Sequence, residues 1–207
     1  MTFASDPTFR VLHALRIRGF SRLDGLAEQC GLPIEEVEAE LIGLQARELA
    51  VYREARALWQ LSAAVGRQAH ASALEVDVGR AGFREGLQKD YPAFLDLNVA
   101  FKELCGDWQL RGGAPNDHSD EIYDREVIDR LMMLDGKVRP IATAMGKIAA
   151  RFSSYAPRLE HSIRRLDAGE HNLFTGVMCG SYHDVWMELH EDLILTLGID
   201  RGEEGSF

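Results

Sequence analysis

This chain of 207 residues has little cysteine, with three, and little proline, with six. Cys30, Cys105 and Cys179 stand far apart and are odd in number, which excludes a disulfide framework and a zinc site and fits a reducing cytosol. Long apolar runs are missing too. Arg, Asp, Glu or Gly interrupts every stretch before it reaches the ~18 residues of a membrane span, so no membrane partner is expected. The opening Met1-Thr2-Phe3-Ala4-Ser5-Asp6-Pro7 has no basic region leading into an apolar one, so no secretory signal is read there and a cytoplasmic protein is expected. Positive charge is scarce: 23 Lys and Arg face 33 Asp and Glu, a net charge of -10. The shortage is uneven, with 8 against 9 over residues 1–70 and 15 against 24 over residues 71–207. An acidic body repels phosphate backbones, so any nucleic-acid contact has to come from the first 70 residues.

Catalytic signatures are absent as well. There is no phosphate-loop glycine pattern, no G-x-S-x-G and no H-E-x-x-H; His190-Glu191 begins the last of these, but Ile194 stands in the second histidine's place. Cys105 and Cys179 read as small core residues, not nucleophiles. No catalytic residue, cofactor or metal is assigned on this basis.

What the chain does have is helical periodicity. Phe9, Leu12, His13, Leu15 and Ile17 predict a first helix ended by Gly19. Ser21, with Asp24 three residues on, is expected to cap a second, whose stripe is Leu23, Leu26 and Ala27 and whose stop is Gly31. Pro33 suits the first position of a third helix through Val37, Leu41 and Leu44. The period then changes, and Val51-Tyr52-Arg53 and Leu58-Trp59-Gln60-Leu61 read as two strands joined by a turn. Three short helices and a hairpin make a winged helix-turn-helix over residues 1–70.

The run Leu26-Ala27, Gly31-Leu32, Val37, Leu41, Leu44, Leu49, followed by Leu58-Trp59-Gln60-Leu61-Ser62 and Gly66-Arg67, resembles the MarR-like winged-helix regulators over residues 8–70. The resemblance implies a dimeric DNA-binding protein, with Glu48 at a corner where many members carry glycine; that corner is expected to be built differently. The third helix would enter the major groove. Its outward residues include Glu35, Glu36, Glu38 and Glu40, and no cation appears before Arg47. DNA is thus a partner that the fold allows and the recognition surface disfavours. The candidate DNA contacts are Arg16, Arg18, Arg22, Gln45, Arg47, Arg53 and Arg56.

Beyond Ala63 no strand is read. A connecting helix over residues 64–88, interrupted by Gly79 and Gly82, leads from the first domain through residues 71–90. An acidic helical bundle follows over residues 91–200, with a frayed tail over 201–207. Its helices start after Tyr91-Pro92, near Ile122 with a bend or break at Gly136 and Pro140, around Leu159 with an end at Gly169, and at Tyr182. The fold class is therefore mainly α.

Polar groups near the bundle's apolar stripes suggest a pocket for a small-molecule effector, built from Asn98, Trp108, Asp117, His118, Asp120, His183, Trp186 and His190, with Glu188 beside them. Alternatively these side chains flank the core and satisfy helix ends. The segments Leu104 to Gln109, Asn116 to Asp120 and Tyr182 to Leu193 resemble an actinobacterial group of winged-helix proteins, a resemblance that implies association with phosphoenolpyruvate-utilising phosphotransferase-like proteins. Two main readings come out of the sequence. One is a ligand-responsive transcriptional regulator acting as a homodimer; the other is a non-DNA-binding accessory subunit or sensor that contacts protein. Enzymatic use of the histidines is a third.

Overall fold

The computed structural model describes residues 2–79, 83–200 and 202. The chain is mainly helical, with eight α-helices and five short strands among the described residues. Helix α1 (Pro7–Arg18) starts where the Asp6 carboxylate accepts from the Thr8 and Phe9 amides, and it closes at Gly19 as expected. Strand β1 (Phe20–Ser21), α2 (Leu23–Cys30), α3 (Ile34–Ala46), β2 (Ala50–Arg53) and β3 (Leu58–Leu61) complete the first third. The strands form an antiparallel sheet in the order β1-β3-β2, with Ser21 and Tyr52 flanking Trp59 from either side. Val11, Leu15, Leu26, Val37 and Leu41 are wholly buried in the core beneath it.

Two local expectations fail here. Ser21 does not cap α2: its backbone pairs with β3, its hydroxyl donates to the Arg22 carbonyl, and Arg22 takes the cap position without a side-chain bond. Glu48, expected to alter its corner, instead adopts the left-handed conformation itself, at φ 60°. The Leu49 amide donates to the Leu44 carbonyl at 2.9 Å and the Ser62 hydroxyl to the Glu48 carbonyl at 2.7 Å, so hydrogen bonds on both sides hold a residue where glycine is easier.

The remaining helices are α4 (Val65–Gly79), α5 (Phe83–Gln109), α6 (Glu121–Ile148), α7 (Tyr155–Asp167) and α8 (Tyr182–Leu197). Helix α4 is described as far as Gly79 and runs without a break to that point, and the expected interruption at Gly82 lies outside the described residues. Pro92 does not start a helix but sits inside α5, and α6 runs unbroken past Gly136 and Pro140. A missing amide removes one hydrogen bond; the buried stripes Leu87, Tyr91, Phe94 and Leu134, Val138, Ala142 on either side of each proline outweigh it. Strands β4 (Leu110–Arg111) and β5 (Ala114–Pro115) form a short hairpin between α5 and α6, in a stretch whose sequence predicts no strand.

These helices enclose a second core that includes Phe94, Phe101, Leu131, Tyr182, Trp186 and Leu189. Contacts at several places join the two cores. Helix α1 packs on α8. Helix α4 gives Ala69 and Ala73 to the first core and Val78 to the second. Phe3 crosses over: its amide donates to the Ile148 carbonyl at 3.1 Å, and its ring stacks on Phe83 at 5.0 Å. Among the described residues no helix is long and apolar enough to cross a membrane. Of the expected tail, only residue 202 is described.

Candidate functional site

The junction between α1 and α8 engages arginines that the sequence alone places on a DNA-facing surface. Arg16 Nη1 lies 3.0 Å from Glu191 Oε1, and Arg18 Nη1 lies 3.0 Å from Glu188 Oε1. Arg158, on α7, reaches the other oxygen of Glu188 at 2.6 Å. Two of the seven candidate DNA contacts are thus turned onto carboxylates of the same chain. Arg53 belongs to the exposed hairpin, beside the Gln60 side chain; Arg22, Gln45, Arg47 and Arg56 are exposed. On α3 the exposed residues are Ile34, Glu35, Glu38, Ala39, Ile42, Gly43, Gln45 and Ala46, an acidic and apolar face.

Deeper in the same junction lies a buried polar network. Asp192 accepts from His13 Nε2 at 2.9 Å, Tyr155 Oη at 3.0 Å, Thr196 Oγ1 at 3.0 Å and Arg151 Nε at 3.3 Å. Arg151 also donates to Asp77 at 2.8 Å, and Ser5 to the same carboxylate at 3.2 Å. Burial pushes the Asp192 carboxyl up, but the facing His13 and Arg151 charges overcome it and hold the group well below the usual carboxylate range. His13 Nδ1 meets His70 Nε2 at 2.8 Å. An ionised carboxylate only accepts, so His13 donates to Asp192 through Nε2. Burial and the neighbouring His13 and Arg16 push His70 down to about 3.

Periodicity makes His13 one more member of an apolar stripe, and it singles out none of His70, Asp77 and Arg151. The signal in the sequence is a polar residue at a buried helical position, which demands a partner but does not name it.

The eight residues expected to form an effector pocket do not converge on one cavity. Trp108 and His118 meet at 4.4 Å with their rings tilted by 40°, and His171 stands edge-on to Trp108. His118, at φ 57°, is held through Nδ1 by the buried Asp124 carboxylate at 2.9 Å, and Asn116 donates to that carboxylate at 2.9 Å. Asn98 and Trp186 form a pair inside the second core, Trp186 Nε1 donating to Asn98 Oδ1 at 2.8 Å. His190 packs against Phe94 there, and His183, its pKa lowered by burial, lies beside Phe101. Asp117 turns back onto Ser119, while Asp120 caps α6 and pairs with Arg111 at 2.6 Å. Glu188 faces the α1 junction instead. Cys179 is exposed, contrary to its reading as core, and Cys105 is half-buried. Among the described residues no three His, Cys, Asp or Glu side chains group to hold a metal ion.

A cleft of about 500 Å³ opens between the two parts of the chain. Arg18, Arg22, Gly25 and Glu28 line one wall; Cys179, Asp184 and Glu188 line the other. Its far wall is shaped by the turn before α8, where Met178 takes φ 58° and Gly180 φ 72°. Asp184 accepts from the amides of Cys179 and Gly180, at 2.9 and 3.0 Å, and closes the α8 capping box by accepting from the Ser181 amide. No protein-family model, curated protein or solved structure matches this chain.

Proposed function

We propose that this protein is a winged helix joined to an acidic helical bundle, acting as an effector sensor that contacts protein instead of reading DNA. The order α1-β1-α2-α3-β2-β3 with its three-stranded sheet supports the winged-helix assignment. The observation that carries the functional reading is the engagement of Arg16 and Arg18 by Glu191 and Glu188. Cations held by internal carboxylates have little charge left for phosphates, and each phosphate left without a cation lowers the salt slope of DNA binding by about 0.9. The helix that would lie in the major groove presents Glu35 and Glu38 beside Ala39, Ile42 and Gly43. Base readout draws on Arg, Lys, Asn and Gln, so that face suits a protein surface better than a base edge. The polar cleft between the two parts is the place for an effector, because whatever binds there touches both.

The test is titration of a labelled duplex from the region upstream of the protein's own gene, against scrambled DNA, across a salt series. Equal and weak retention of both duplexes is expected even at low salt. Specific retention with a steep salt slope would instead establish the regulator, and with it the exposed Arg22, Arg47, Arg53 and Arg56 as phosphate contacts.

A further inference from the structure

We infer that α4 is a strap over the seam between the two cores, pinned by two buried polar side chains and released when the pH falls. This goes beyond the effector-sensor reading, because it concerns the seam and not the cleft. Four of the fifteen residues of α4 are buried, Gly66, His70, Asp77 and Val78, and Val78 is the one large apolar side chain among them. Ala69, Ala73 and Leu74 add partly buried contacts, while Val65 and Val76 face solvent. A helix with so little apolar burial opens at a lower free energy than the cores beneath it, so its polar pins decide whether it stays. His70 and Asp77 are seven residues apart, two turns and about 10 Å along one face. Asp77 accepts from Arg151 Nη1 at 2.8 Å and from Ser5 Oγ at 3.2 Å. His70 is 3% exposed, and its Nε2 meets His13 Nδ1 at 2.8 Å.

A single hydrogen fits between two ring nitrogens at that distance. The pair can therefore carry one positive charge but not two: with both rings protonated, N–H faces N–H. The other charged groups around His70 give no relief. Arg16 of α1 and Arg151, between α6 and α7, are cations, and Arg16 has its own partner in Glu191 of α8. Asp192 of α8 is the carboxylate that faces His70 from outside α4, and it already accepts four hydrogen bonds. Burial first, then His13 and Arg16, hold the His70 pKa down to about 3. Once α4 lifts away, both rings are free to take up protons near 6.5, so acid favours the released state. Release removes a link between the two cores while each keeps its own apolar packing. Acid thereby changes their relation without unfolding either.

Hydrogen exchange of the full chain tests this, followed by mass spectrometry from pH 7.5 to 5 and corrected for the intrinsic pH dependence of amide exchange. The α4 amides are expected to exchange roughly a hundredfold faster than the slowest amides of α3 and α6, because they open without the cores. Their protection is expected to fall by up to about tenfold for each pH unit below 6.5, the limit for one proton. His70→Gln keeps a polar side chain beside His13 but takes up no proton, and it is expected to remove most of that fall. Exchange of α4 at the rate of the slowest α3 and α6 amides overturns the strap, and so does a fall with pH as steep in His70→Gln as in the parent. The comparison of α4 with α3 and α6 needs no variant, so it decides even where His70→Gln does not fold.

Discussion

Asp192 accepts four hydrogen bonds where water does not reach. Removing one member of a buried ion pair strands the others, and that penalty exceeds the net value of the pair. Asp192→Ala is therefore expected to destabilise the fold by about 3–5 kcal/mol, read as a lower urea midpoint. His70 gives this junction a pH dependence whose sign follows from its lowered pKa. The unfolded chain takes up the His70 proton near 6.5 while the folded chain resists it down to about 3. Stability contributed this way is complete above 6.5 and falls as the pH drops through that window, by up to about 1.4 kcal/mol per pH unit for one proton. Urea midpoints measured from pH 7.5 to 5 should decline, and His70→Gln should flatten that decline. Asp192, with its own depressed pKa, adds loss in the same direction at lower pH.

At the scale of elements, local pattern succeeds where a helix has both a stripe and a stop signal. Gly19, Gly31 and the span Tyr182–Leu197 are as expected. It fails where a tertiary contact decides between options that are locally equal. Ser21 could cap a helix or pair with a strand, and only the arrival of β3 settles the choice. The breaker Pro92 loses to the apolar residues on both sides of it. Because residue 92 is exposed and inside a helix, Pro92→Ala restores an amide donor and relieves the ring's crowding. A gain of about 1–3 kcal/mol is expected, seen as a higher melting midpoint, and a decrease would mean that α5 needs its proline.

Over the whole molecule, two cores share one charged seam. Arg151 contacts Asp77 from α4 and Asp192 from α8, and α1 reaches the same network through His13. The two cores should accordingly melt in one calorimetric transition. Arg151→Met leaves two buried carboxylates without their guanidinium and is expected to split that transition, with Trp59 reporting the first core and Trp186 the second. A single transition in the variant would show that α4 and the Phe3 crossing suffice to couple them. The same seam explains why the site is hard to see in the sequence. Arg16 and Arg18 look like surface cations in any local window, and their partners lie 175 and 170 positions away.

A mainly helical chain and the stops of its leading helices are legible in the sequence, because they depend on residues within a turn or two of one another. The acidic balance needs only a count. The residue types of the effector candidates are legible too, but not their grouping: Trp108 and His118 meet, whereas Asn98 with Trp186 and Glu188 with Arg18 belong to other places. Which charges face water is settled only when the helices pack. Glu188 on α8 and Arg18 on α1 have no local reason to find each other; packing two apolar stripes brings them within 3.0 Å, and the burial of both side chains favours the pairing.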